Sequence, residues 1–451
     1  MKDGSPLLSG GPLAGLDVMA RRVLTGWLLL AVGSLAVAGA LALLLVLSRT
    51  PYVQDWLPWP WESFFRKALV AHVVFAFVVW YLAILGGLAA TVRPGSRSGL
   101  YGLLLAVFGA LLLLVPTLAN QGDASLNNYV PVLIHPLFYA GLGFLALGVG
   151  LPVLNLLLRP SGRGDVLAIG VGAAGVLFLL ALICFGLAWS GLPRDGSPFT
   201  HEEQLFWGGG HLLQFVYTAL LLTAWQVLGE QAFGHAPLPS QAWKAVCALL
   251  VITGFPGPFL YAIHPAGSEV LRQAFTQLYW IGLPLPPLIT GLAVLRAIAR
   301  GPRHWATPAF LGLFLSLLLF GFGGVLGAFA DGGDTRTPAH YHAVIGGVNL
   351  AFMALFFSIL LPALLVASER ERRMRLQFWL YGCGQALFSL GMFVAGSVGV
   401  GRKVAGAAQG LDSLMKLAGM ALTGLGGAVA VIGGVMFVLS ALARLCPAGR
   451  R

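Results

Sequence analysis

Twelve stretches of this chain are each long and apolar enough to cross a lipid bilayer, and this excludes most folds before any single residue is considered. A span needs about 20 apolar residues, each adding about 1.5 Å of helical rise. By that measure the sequence predicts helices at roughly 23 to 47, 66 to 92, 100 to 118, 130 to 158, 165 to 190 and 205 to 228. Six more follow at roughly 242 to 264, 272 to 298, 307 to 329, 338 to 366, 376 to 399 and 414 to 443. Backbone groups in hydrocarbon must be satisfied within the segment that carries them, so helices are expected rather than isolated strands. The fold class is therefore all-α, a polytopic transmembrane bundle of about 12 helices. No long polar stretch separates the runs and no internal repeat is visible. One transmembrane domain is expected over 23–443, with tails at 1–22 and 444–451.

Composition supports a chain solvated by lipid. Of the 451 residues 58% are hydrophobic and only 10% charged, and the 61 Gly and 26 Pro suit close-packed membrane helices rather than disorder. The formal net charge of +11 does not point to nucleic acid, because most of the Lys and Arg lie in short segments between apolar runs. With both termini cytoplasmic, that side collects Arg21, Arg22, Arg93, Arg97, Arg159, Arg163, Lys244, Arg296, Arg300, Arg303, the basic run at 370 to 375 and the C-terminal arginines. The opposite side holds Asp55, Asp123, Asp195, Glu202, Glu203, Glu269, Asp331, Asp334 and Asp412. The positive-inside rule then puts both termini on the cytoplasmic side, with anionic lipid as the partner of the basic segments, and a bacterial cytoplasmic (inner) membrane is the expected location. The first run is too long for a signal-peptide core and is read as a retained helix. Cys184, Cys247, Cys383 and Cys446 form no CxxC or CxxCH, so neither covalent c-type haem nor a Cys-based zinc site is expected.

The histidines share one depth. His201, His235 and His304 fall in loops. His72, His135 and His211 lie near the outer starts of the second, fourth and sixth spans, His264 closes the seventh on that side, and His340 and His342 open the tenth. Imidazole at membrane depth marks a functional candidate, and neutral imidazole ligates haem iron, copper and zinc. Two helical positions differ by about 200°, so His340 and His342 face opposite flanks and suit two different metals rather than one. His135 precedes Pro136 and is either a ligand or the cap of the fourth span.

The segment DTRTPAHYHAVIGG, Asp334 to Gly347, resembles the tenth-helix signature of subunit I in the haem-copper oxidase superfamily, an aromatic between two histidines followed by small residues. The resemblance implies that His340 binds a high-spin haem, that His342 and His72 bind a low-spin haem, and that both haems, expected as b-type, lie near the outer face. FWGGGHLLQF, Phe206 to Phe215, looks like the sixth-helix start where that family places its first copper ligand, here His211. Arg402 and Lys403, between the last two spans, match the place where the family often has basic residues for haem propionates.

Two departures concern the copper site. Where the family has adjacent histidines on the seventh helix, this chain has Ile263 and then His264. His211 and His264 would hold copper or another non-haem metal only with a third ligand from water, His135 or an acidic loop residue. Four residues after His211, where many such oxidases carry a tyrosine, stands Phe215; Tyr261 is the close substitute, while Tyr217 points elsewhere. All sixteen Asp and Glu fall in loops or at helix ends, so a carboxylate-based proton pump is not expected, and Glu202, Glu203, Asp331 and Asp334 are candidates for outer proton supply.

The resulting expectation is a membrane respiratory oxidoreductase, subunit I-like, that passes electrons from a low-spin to a high-spin haem where O2 or NO is reduced. Its catalytic set is His340, His211, His264 and Tyr261, and its electrons come from a cytochrome c-type or other donor subunit, or from quinol. The alternatives are a non-catalytic diheme electron carrier or gas sensor, and a twelve-helix transporter.

Overall fold

The computed structural model describes residues 13, 15–49, 61–94, 96–159, 165–193, 197–330, 332–366, 371–404 and 406–446. Asp55, Arg163, Asp195, Asp331, Arg370 and the C-terminal arginines, placed above by sidedness, lie outside the described residues, as does most of each expected tail. Within them are 12 helices long and apolar enough to cross a membrane. They are α1 (Val18–Leu45), α2 (Phe64–Val92), α3 (Ser98–Leu118), α4 (Pro136–Leu158), α5 (Val166–Gly191) and α6 (Pro198–Phe233), followed by α7 (Ser240–Ile263), α8 (Glu269–Arg300), α9 (Pro308–Gly327), α10 (Arg336–Ala363), α11 (Glu371–Ser397) and α12 (Leu414–Leu445).

Local chemistry sets the ends. The Asp165 side chain accepts from the Leu167 amide at 2.9 Å and starts α5, and Ser268 does the same for Leu271 at 3.2 Å at α8. Thr307 and His135 cap α9 and α4, each followed by a proline at the first helical position, where the missing N–H removes no bond. Gly234 closes α6 with φ of 77°, a left-handed conformation that glycine adopts without Cβ strain. Inside the helices, Pro256 and Pro284 mark the breaks in α7 and α8. Stretches of π-helix interrupt α2 at Val74–Val79 and α10 at Phe356–Leu360.

The fourth span is shorter than expected. Residues 130 to 135 are not helical. Val132–Ile134 is a strand, β2, paired antiparallel with β1 (Asp123–Ser125), in the register Asp123 to Ile134, Ala124 to Leu133 and Ser125 to Val132. The Asn127 side chain ties the turn, accepting from the Tyr129 and Val130 amides at 3.2 and 2.9 Å and donating to the Val130 carbonyl at 2.5 Å.

The chain divides into two compact units. The first, Met1–Ser34 with Val73–Gly301, holds the hairpin and α3 to α8. In it α3 and α4 approach so closely that a Cβ on Gly109 would lie 2.6 Å from the Leu145 nitrogen. Leu104, Leu111 and Leu118 line an exposed apolar face of α3, as lipid contact requires. The second unit, Leu35–His72 with Pro302–Arg451, holds α9 to α12. There the Ser316 hydroxyl of α9 donates to the Gly347 carbonyl of α10 at 2.7 Å, and Asn349 of α10 donates to the Tyr381 hydroxyl of α11 at 2.8 Å. Among the described spans, α6 and α10 are the most enclosed, and these carry His211 and the His340–His342 pair.

Candidate haem and metal sites

In the second unit, His340 lies in the first turns of α10 and donates through Nδ1 to the Gly323 carbonyl of α9 at 2.7 Å. That bond places the proton on Nδ1 and the lone pair on Nε2, the tautomer a metal-ligating imidazole needs, with a backbone carbonyl as its orienting partner. Gly327, one turn on, makes room for the ring: a Cβ there would stand 2.6 Å from His340 Nδ1 and 2.8 Å from Cε1. His342 turns the other way, its ring 4.6 Å from that of Phe388 on α11 and 5.4 Å from that of Tyr341. One histidine thus packs towards α9 and the other towards α11, as helical spacing predicts. His72 donates through Nδ1 to the Ala38 carbonyl of α1 at 2.9 Å, again leaving Nε2 as the basic nitrogen. His340 and His72 fit axial ligation of haem iron on the grounds of tautomer, His340 also by the close fit of its ring over Gly327, and His342 on the grounds of its opposed facing on α10.

The segment before α12 that carries Arg402 and Lys403 is fastened to the start of α10. Asp334 and Gly401 form an antiparallel bridge, the Thr335 amide donates to the Val400 carbonyl at 3.0 Å, and the Thr335 hydroxyl donates to the Met392 carbonyl at 2.7 Å. Asp334 accepts from Arg336 with an N···O distance of 2.7 Å. Of the acidic residues expected to supply protons, Asp334 is therefore committed to an ion pair, and Glu203 accepts from Asn128 at 2.8 Å. Glu202 differs: it is buried, and its Oε2 has no hydrogen-bond partner.

In the first unit, His211 is fully enclosed and both ring nitrogens are engaged. Nδ1 donates to the Trp207 carbonyl at 2.8 Å, and Nε2 accepts from the Tyr129 hydroxyl at 2.9 Å. Trp207, Phe275 and Tyr279 complete an aromatic box, with ring centroids 5.0, 5.8 and 6.0 Å from that of His211. The Arg272 guanidinium lies 4.7 Å above the Trp207 ring, while its carbonyl accepts from the Trp207 indole at 3.2 Å. Burial raises the Tyr129 phenol above its ordinary value, with Tyr279 and Glu203 adding to the effect.

The remaining residues of the expected catalytic set behave differently. His264 lies just past α7 in extended conformation, and Ile263 beside it is strongly exposed. Tyr261 is half-buried against Phe275, 5.5 Å between centroids, with its hydroxyl against Gly208. Phe215 is buried, and Tyr217 packs edge-on to Phe77 and Tyr81, where its hydroxyl has no partner. His135 accepts from the Leu137 amide at 3.3 Å and is the cap of α4. Among the described residues, no group of three or more His, Cys, Asp or Glu is placed to hold a metal ion. Sequence reasoning missed Tyr129, which lies in an unremarkable Asn-Asn-Tyr turn, and Gly327, whose role depends on a neighbouring helix.

Twelve helices of membrane-crossing length, with paired histidines at the entry of an enclosed one, define a class, the polytopic membrane proteins. The chain belongs to the cytochrome c and quinol oxidase polypeptide I family, whose model matches residues 22–436. It is 30% identical over 340 residues to an uncharacterized protein of Aquifex aeolicus, covering 74% of this chain and 83% of the relative. It is 24% identical over 341 residues to cytochrome c oxidase subunit 1 of Thermus thermophilus, covering 66% of this chain and 60% of that protein. A heme-copper terminal oxidase dimer solved by cryo-EM superimposes with a TM-score of 0.77 at 18% identity, covering 97% of this chain and 86% of that one. Family membership makes this chain a respiratory oxidoreductase at the superfamily level.

Proposed function

We propose that the chain is the haem-bearing subunit of a terminal oxidoreductase of the bacterial cytoplasmic membrane, with both termini cytoplasmic and one transmembrane domain over 23–443. His72 and His342 hold a low-spin haem, His340 holds a high-spin haem, and both are b-type. When bound, these haems supply electron transfer and the binding and reduction of O2 or NO, the chemistry of the iron rather than of the chain. The observation that carries the reading is the opposed packing of His340 and His342 on α10, with His340 locked by the Gly323 carbonyl.

The chain's own residues orient the ligands and manage charge. The carbonyls of Gly323 and Ala38 hold two imidazoles in the ligating tautomer. Arg402 and Lys403 are kept beside the entry of α10 by the Asp334–Gly401 bridge and suit haem propionates. Glu202, buried at the outer entry of α6 with one unbonded oxygen, is the acid best suited to pass protons inwards. Electrons come from a cytochrome c-type or other donor subunit, or from quinol.

The test is an optical spectrum of purified protein, oxidised and dithionite-reduced, with and without CO, beside iron analysis. About two irons per chain, a low-spin alpha band and a CO-reactive fraction are expected; protein with no haem sinks the reading. The carrier or sensor alternative is favoured by Phe215 and Ile263 standing where reduction chemistry wants other side chains, and absence of turnover with O2 or NO in haem-replete protein would select it.

A further inference from the structure

We infer that His211 holds no metal in this chain, and that the hydroxyl of Tyr129 occupies the nitrogen a metal would take. A non-haem metal bound to imidazole sits about 2.0 to 2.1 Å from a lone pair on nitrogen. On His211, Nδ1 carries the proton given to the Trp207 carbonyl, and the lone pair of Nε2 already accepts from Tyr129 at 2.9 Å. A metal at Nε2 would have to displace a buried phenol from a pocket walled by Trp207, Phe275 and Tyr279.

A second, independent observation concerns the other ligands. Such a site becomes tight only with several imidazoles. The neighbour of His264 is an exposed isoleucine, His135 spends its acceptor nitrogen on capping α4, and no three-residue donor group is assembled among the described residues. Donor number and donor availability therefore both disfavour copper.

The placement of Tyr129 is structured from the hairpin. The β1–β2 pairing and the Asn127 side chain fix the turn, and the phenol reaches α6 from outside the spans. The pair is neutral on both members, a protonated phenol against an Nδ1–H imidazole, so it is stable without a cation to balance it.

The inference rests on the haem reading only in that a family with a copper position makes its absence worth testing. Iron and copper are measured separately by elemental analysis on detergent-purified wild type, Tyr129→Phe and His211→Ala, each incubated with copper and then desalted, and thermal unfolding of wild type and Tyr129→Phe is followed beside it. Wild type is expected at background copper, and Tyr129→Phe is expected to unfold at a lower temperature because the His211 nitrogen is left unpaired. Stoichiometric copper in wild type that is lost in His211→Ala overturns the inference. A Tyr129→Phe variant that keeps its haem and unfolds as wild type does overturns the assignment of Tyr129 as the occupant. Failure of the haem reading shows up as missing iron, whatever the copper result.

Discussion

The imidazole of His340 is bound through Nδ1 to the carbonyl of Gly323, and the ring lies over Gly327 one turn later on the same helix. A Cβ on Gly327 would meet the ring at 2.6 Å, so Gly327→Ala must push the imidazole off its carbonyl. Loss of an orienting partner typically weakens a metal site by roughly 10- to 100-fold. The variant is expected to lose high-spin, CO-reactive haem by about that factor in a haem titration, while the low-spin band persists.

His342→Ala and His72→Ala should each abolish the low-spin alpha band while leaving CO binding in place, and His340→Ala should do the reverse. Reduced-minus-oxidised spectra of the three variants check this directly. Parallel loss of both signals in all three would show that the histidines do not divide between two haems.

Asp334 forms a part-buried ion pair with Arg336 and bridges Gly401. Asp334→Asn removes the charge and is expected to lower stability by roughly 1.5 to 3 kcal/mol, the range for hydrogen bonds to charged groups. Thermal unfolding in detergent reads that shift.

Tyr129 carries a phenol raised above its ordinary value of 10.0 by burial. A raised folded value means that the contribution is fully present below pH about 10 and is lost as pH rises beyond it towards the folded value, since the unfolded chain releases the proton first. Tyr129→Phe leaves a buried imidazole nitrogen unpaired and should lower stability by about 1 to 3 kcal/mol at neutral pH. Melting curves from pH 7 to 11 should show the gap between wild type and variant closing at the alkaline end; a constant gap would contradict the burial of the phenol.

Glu202→Gln keeps the shape and removes the acid. It should slow gas reduction by roughly 10²-fold or more with unchanged haem spectra, in line with loss of a positioned proton donor. Steady-state consumption of O2 or NO on haem-matched samples provides the check.

The spans and the opposed facing of His340 and His342 were legible in the sequence because both follow from helical geometry over adjacent residues. The start of α4 was misplaced by six residues, although Pro136 after His135 carried the signal. An apolar run extends through 130 to 134, and hydropathy cannot distinguish a short buried strand from another turn of helix. Tyr129 was illegible for a different reason: its partner His211 is 82 residues away, and only the pairing of β1 with β2 brings them together. Gly327 was equally silent, because a glycine in a membrane helix is common and its meaning lies on the neighbouring α10.

The hairpin turn presents Asn128 to solvent and Tyr129 to the protein interior in consecutive residues. Whatever binds or cleaves that turn from the aqueous side would therefore act on His211 without entering the bilayer, so the environment of an enclosed imidazole can be adjusted by an external hand.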